Sequence, residues 1–131
     1  PAAAPGHPMR QALRKNDMRN WTPQRPMLLC GGRADPTVFY SLNTQVMQGF
    51  WSAPSPAAAA AGRVSVLDVD SAPGANDPFA AVKMGFASAK AAMAAAGGAN
   101  AVVQSYHGTL VPPFCNAAAR AYFQQVLASG V

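Results

Sequence analysis

Met27-Leu28-Leu29-Cys30-Gly31-Gly32-Arg33-Ala34-Asp35-Pro36 joins an unbroken apolar run to a glycine doublet and then to an acid followed by proline. Four apolar residues between Pro26 and Gly31 are too few for a helix and lack the alternation of a strand with one wet face. They predict a short strand buried on both faces, as in a parallel sheet. Gly31 to Pro36 is then the loop leaving the carboxyl end of that strand, and it carries Asp35.

Working outward, residues 9–20 favour a helix, with Met9, Leu13 and Met18 on one side and basic residues on the other. Trp21-Thr22-Pro23 ends it, because proline cannot continue a helix and restricts the residue before it. Downstream, Phe39, Leu42, Val46 and Phe50 recur at helical spacing and predict a helix from Thr37 to about Trp51. Ser52 to Ala61 is a Pro/Ala connector. Arg63 to Asp70 reads as a second strand rich in β-branched residues, followed by a turn from Ser71 to Asn76. Asp77-Pro78 is a helix start, with an acid to cap free N–H groups and proline where its missing N–H costs nothing. Phe79, Val82, Phe86 and Met93 continue that helix, and Gly97-Gly98 stops it. Ala101 to Tyr106 reads as an extended segment leading into His107, Val111-Pro112-Pro113 as a rigid loop, and Asn116 to Leu127 as a final helix. Helices and strands alternate, which is the α/β pattern.

At 131 residues the chain has room for one ordinary domain, read as a Pro/Ala leader over 1–8 and a domain over 9–131. Half the residues are hydrophobic and 11% are charged, which excludes disorder by charge and low hydropathy. No apolar run approaches the roughly 20 residues of a membrane-spanning helix. Much of the apolar fraction is alanine, so a thin core is expected. Six of the ten basic residues (Arg10, Arg14, Lys15, Arg19, Arg25 and Arg33) crowd the first quarter of a chain whose net charge is +5. Without interleaved aromatic residues or a recognition motif, that cluster reads as a solvated helix face and not as a nucleic-acid surface.

The inventory of acid–base groups is short. There is no Glu, the acids are Asp17, Asp35, Asp68, Asp70 and Asp77, and the histidines are His7 and His107. Neither histidine has neighbours at metal-ligand spacing, so no metal site is expected. His7 lies in the Pro/Ala leader and reads as solvated. Asp35 and His107 each fall where an α/β sheet gathers functional groups, beyond the end of an extended segment. Alone, Asp35 before Pro36 could cap a helix and His107 could be a loop histidine. Asp68 and Asp70 are second-choice acids, read as strand-end or turn residues.

Gly32-Arg33-Ala34-Asp35-Pro36-Thr37-Val38 resembles the Gly-x-x-Asp-x-x-Val stretch in which α/β-hydrolases deliver their catalytic acid. YHGTLVPPFCNAAARAYF, from Tyr106 to Phe123, is similar to the histidine loop and last helix of secreted bacterial esterases and lipase-like enzymes, and NDMRNWTPQRP to the approach to the acid strand. The resemblance spans roughly residues 15–125. Asp before His also matches the chain order Ser, Asp/Glu, His of that family's triad. The eight serines all lack the flanking glycines of a Gly-x-Ser-x-Gly elbow. The 77–97 helix also looks like an insertion before the histidine.

The resemblance implies the C-terminal portion of an α/β-hydrolase sheet with flanking helices, its N-terminal half absent. Function then follows as part of a serine esterase or lipase that cleaves carboxylic esters without a cofactor. Asp35 and His107 would complete a triad whose serine lies outside the chain, and Tyr40, Trp51, Tyr106 and Leu110 are candidate substrate walls. Cys30 would end the acid strand and Cys115 would open the helix after the histidine loop. A bridge between them would tie the two catalytic segments together and imply a periplasmic or extracellular setting. Two buried free thiols are the alternative for this pair, and Cys30 acting as a nucleophile with His107 is a third reading. An open sheet edge would need cover from the missing half or from another chain. The competing class of function is a non-catalytic α/β fragment acting as a structural or partner-binding chain.

Overall fold

The computed structural model describes residues 6–21, 23–52 and 63–130. Helix α1 (Pro8–Lys15) opens with proline in its first turn and is capped by His7, whose Nδ1 accepts the Met9 N–H at 3.2 Å. The helix thus begins at Pro8, one residue before the expected start. A 3₁₀ turn (Met18–Asn20) follows, started by Asp17, whose carboxylate accepts the Arg19 N–H and pairs with its guanidinium.

Strand β1 (Met27–Gly31) and strand β2 (Val64–Asp68) pair in parallel, Met27 opposite Val64 and Gly31 opposite Asp68, so their carboxyl ends coincide. Between them lies α2 (Thr44–Ser52), shorter than the helix expected from Thr37, because Asp35 spends two hydrogen bonds holding the backbone of residues 37 and 38 in a turn. The Pro/Ala connector falls largely outside the described residues. Trp51 is buried, and its indole N–H donates to the Trp21 carbonyl at 2.8 Å, which fastens α2 to the segment after the 3₁₀ turn.

Asp77 holds the turn ahead of the next helix, one carboxylate oxygen accepting the Phe79 N–H at 2.8 Å and the other meeting Lys83 Nζ at 2.6 Å, but the helix begins only at Ala80, with Phe79 and not Asp77 at its N-cap. Helix α3 (Ala80–Ser105) runs past the glycine doublet, bending at Gly98, whose φ of 73° is open to glycine at little cost. A π turn (Tyr106–Leu110) links it to α4 (Val111–Ser129), which ends on Gly130 in the left-handed region. Pro112 and Pro113 lie in the first turn of α4, where their missing N–H groups are least needed, and not in a loop.

These observations overturn the expected fold class. Two strands form the whole sheet among the described residues, and about 61% of those residues are helical. This is a small helical domain around a two-strand parallel ladder, not the C-terminal portion of an α/β-hydrolase sheet. The decisive misreading is Ala101 to Tyr106, which is helix. Val102, Tyr106 and Leu110 are all buried, and a spacing of four residues puts them on one helix face. A strand would have sent alternate residues of that segment to opposite sides. The residues of β1 are each only half-buried, so the strand is not enclosed on both faces.

The core gathers Leu67 and Val69 at the end of β2, Phe86 and Val102 from α3, Tyr106 and Leu110 from the π turn, and Val111 and Ala118 from α4. Phe86 lies edge-on to both Tyr106 and Phe114, at centroid distances of 5.7 and 5.5 Å. A disulfide joins Cys30, the penultimate residue of β1, to Cys115 in α4, with Cα atoms 5.7 Å apart.

Candidate acid–base site

The site is assembled where the two strands end. The backbone leaves β1 through Gly32, Arg33 and Ala34, and the Asp35 N–H closes a turn onto the Gly32 carbonyl at 3.1 Å. Oδ1 of Asp35 then accepts the N–H groups of Thr37 and Val38 at 2.8 and 2.9 Å. With that oxygen committed, Oδ2 is left to meet His107 Nδ1 at 2.7 Å. The sequence reading had offered capping and catalysis as alternatives for Asp35, and the carboxylate makes both kinds of contact, one with each oxygen.

The two partners sit in different environments. The Asp35 side chain is 5% exposed and that of His107 is 48% exposed. Burial pushes the Asp35 carboxyl up, but the hydrogen bonds from Val38, His107 and Thr37 outweigh it and hold its pKa below the ordinary carboxylate value of 3.8. The carboxylate is therefore ionised near neutral pH and can only accept hydrogen bonds. A neutral His107 must then carry its proton on Nδ1, which leaves Nε2 as the ring's free base. Among the described residues, Asp35 is the sole hydrogen-bond partner of the His107 ring.

The other candidates fall elsewhere. Asp68 turns its carboxylate to the Arg33 N–H at 3.1 Å, to the Asp70 N–H at 2.9 Å and to the Arg33 guanidinium. It braces the loop that carries Asp35. Asp70 receives Lys90 Nζ at 2.8 and 2.7 Å, and the Tyr106 hydroxyl donates to it at 2.6 Å. Neither second-choice acid touches His107. His7 is exposed and caps α1. Trp51, Tyr106 and Leu110, expected as substrate walls, are buried at 2–3% exposure and pack in the interior. Tyr40 is half-buried, with its ring edge against Gly31. Cys30 is in the disulfide, so it is no nucleophile, and the free-thiol reading falls with it.

Sequence reasoning missed the cluster of Asp70, Lys90 and Tyr106 and the tight approach at Gly32. A Cβ on Gly32 would lie 2.5 Å from the Tyr106 hydroxyl oxygen and 2.8 Å from its ring. The doublet Gly31-Gly32 was the available signal, since a glycine at a strand end often marks a close neighbour. A cleft of about 610 Å³ opens beside this cluster, lined by Ala34, Lys90, Ala94, Val102 and Tyr106 among others; Asp35 and His107 are not among its lining residues.

Comparison with protein-family models, with curated proteins and with solved structures returns no match. What can be said of function therefore comes from the site itself.

Proposed function

We propose that Asp35 and His107 are the acid and base of a Ser-His-Asp triad that hydrolyses carboxylic esters, with the nucleophilic serine supplied from outside these 131 residues. The observation that carries the reading is the 2.7 Å contact between Nδ1 of a half-exposed His107 and a buried Asp35 whose other oxygen is held by two backbone N–H groups. That arrangement fixes the tautomer a general base needs. Nε2 takes the proton of the serine Oγ as Oγ bonds to the ester carbonyl carbon. It then returns that proton to the departing alcohol oxygen as the carbon–oxygen bond of the ester breaks. Water repeats the sequence on the acyl-enzyme, its proton passing through Nε2 to the released serine. Asp35 stabilises the imidazolium in each half.

Association with further polypeptide follows from the same reading and is supported by the surface. Phe39, Leu42, Val46 and Phe50 are exposed, as are Met9, Leu13 and Met18, and each strand of the two-strand sheet has one edge without a partner strand among the described residues. The same surface suits the competing non-catalytic reading, in which the chain serves only to bind a partner. The disulfide suits a periplasmic or extracellular setting, and no described helix is long and apolar enough to cross a membrane.

Fluorophosphonate labelling of the protein with every polypeptide that accompanies it, read by intact mass, tests the proposal. A serine in the assembly should take the label, and His107→Ala should slow labelling by at least about a thousandfold. Absence of label on every polypeptide, or labelling indifferent to His107→Ala, would overturn the hydrolase reading and leave the partner-binding one.

A further inference from the structure

We propose that Tyr106 is a positioning residue that holds the loop of Asp35 and the turn of His107 in mutual register through its buried ring and phenol. The inference rests on reading Asp35 and His107 as an acid–base pair and adds the device that keeps them aligned.

Tyr106 precedes His107 directly, so whatever fixes its side chain fixes the backbone from which the imidazole projects. Three separate elements fix it. Its ring and hydroxyl press on Gly32, which also accepts the hydrogen bond from the Asp35 N–H. Its hydroxyl donates to Asp70 at 2.6 Å, in the turn that leaves β2. Asp70 is in turn clamped by both contacts from Lys90 of α3, whose Nζ stands 5.6 Å from the Tyr106 ring centroid. Phe86 packs edge-on against the same ring. One side chain thus meets the loop bearing the acid, the turn after the neighbouring strand and the longest helix.

The phenol is suited to a fixed role. Burial, with the Asp70 carboxylate at hydrogen-bond distance, drives its ionisation far above the ordinary tyrosine range, so the hydroxyl remains a donor wherever the protein is folded. Tyr106 does not reach the reacting atoms; it acts through the placement of His107 and Gly32. The pairing of a glycine with no room for a Cβ and a ring that fills the space makes the distance between the two segments depend on this contact. A positional error of an ångström is costly in acid–base chemistry.

The test is solvent exchange of the His107 Nδ1–H by NMR, with the chain's disulfide intact. Tyr106→Phe keeps the ring and deletes only the hydroxyl, and the Nδ1–H should exchange about tenfold faster, the scale of one hydrogen bond to a charged acceptor. Asp70→Asn, which keeps an acceptor for the phenol without its charge, should fall between the wild type and Tyr106→Phe, and Asp70→Ala should approach Tyr106→Phe. Should Tyr106→Phe fail to fold, the two Asp70 variants decide the matter alone. Exchange unchanged in Tyr106→Phe, or in Asp70→Ala, would reduce Tyr106 to ordinary packing. A wild-type His107 with no protected Nδ1–H would instead overturn the acid–base pair itself, so the two failures are distinguishable. In the assembled esterase the same hydroxyl deletion should lower kcat with KM unchanged.

Discussion

The two parts of this chain contribute unequally to the core. From β2 onward it supplies the whole buried cluster of Leu67, Val69, Phe86, Val102, Tyr106, Leu110, Val111 and Ala118, although Met84, Val103, Phe123 and Leu127 of the same part stay exposed. Before β2 the apolar residues are largely on display, with Leu42 67% and Leu13 65% exposed and Phe39 and Phe50 close to half. The acid–base pair straddles this divide. His107 belongs to the enclosed half, and Asp35 comes from the open half but is tied to the other by the Cys30–Cys115 bridge, by Arg33 on Asp68 and by the ring of Tyr106 on Gly32. A thin, alanine-rich chain can hold the segments of Asp35 and His107 together if its few large residues and its one crosslink are placed between them.

Breaking the bridge attacks that arrangement hardest. Replacing both cysteines with serine should lower stability by up to about 4–5 kcal/mol, the chain-entropy value for a crosslink between residues 85 apart. Chemical denaturation of the paired variant and the wild type checks it, with the midpoint falling and the slope with denaturant rising, because the unfolded chain expands once the crosslink is gone. Within the enclosed half, Phe86→Ala should cost about 3–5 kcal/mol, since the ring is fully buried between two aromatic neighbours. Leu42→Ala in the open half should stay within about 0.5 kcal/mol in the chain alone. A cost at Leu42 comparable to that at Phe86 would show that the open face is already covered.

A smaller effect distinguishes the two halves by pH. The Asp35 carboxyl has its pKa lowered on folding, so its contribution to stability is complete above the unfolded value of 3.8 and is lost as pH falls through the folded one. Asp35→Asn should therefore flatten the acid limb of the stability curve below about pH 4 and leave its neutral region parallel to the wild type. Denaturation midpoints collected from pH 2 to 7 supply the curve.

Much of this was legible in the amino-acid order. Both strands, the turn after each and the turn at Asp77 follow from short patterns with a local cause, whereas the disulfide was expected only through the resemblance to esterases. The meeting of Asp35 with His107 was anticipated from their places in the chain and from the resemblance to an esterase, and the side chains are indeed in contact. The fold class was not legible in the same way. Reading Ala101 to Tyr106 as extended supplied a strand that does not exist; the four-residue spacing of Val102, Tyr106 and Leu110 was present but lay across the supposed boundary at His107. Gly97-Gly98 misled for a related reason, because a glycine at positive φ can bend a helix as well as end it. The cluster at Tyr106 was hidden because its members, Gly32, Asp70, Lys90 and Tyr106, are far apart in the chain and each has a commonplace explanation by itself.

The central claim, that Asp35 dictates the state of His107, is tested most directly by the imidazole nitrogen shifts of His107 in wild type and in Asp35→Asn. In the wild type, neutral His107 should carry its proton on Nδ1. In the variant, the asparagine oxygen should take over the Thr37 and Val38 N–H groups, which turns its amide N–H toward the ring and forces the proton to Nε2. A tautomer that switches with this one-atom change is the predicted result. The same tautomer in both proteins would contradict the account.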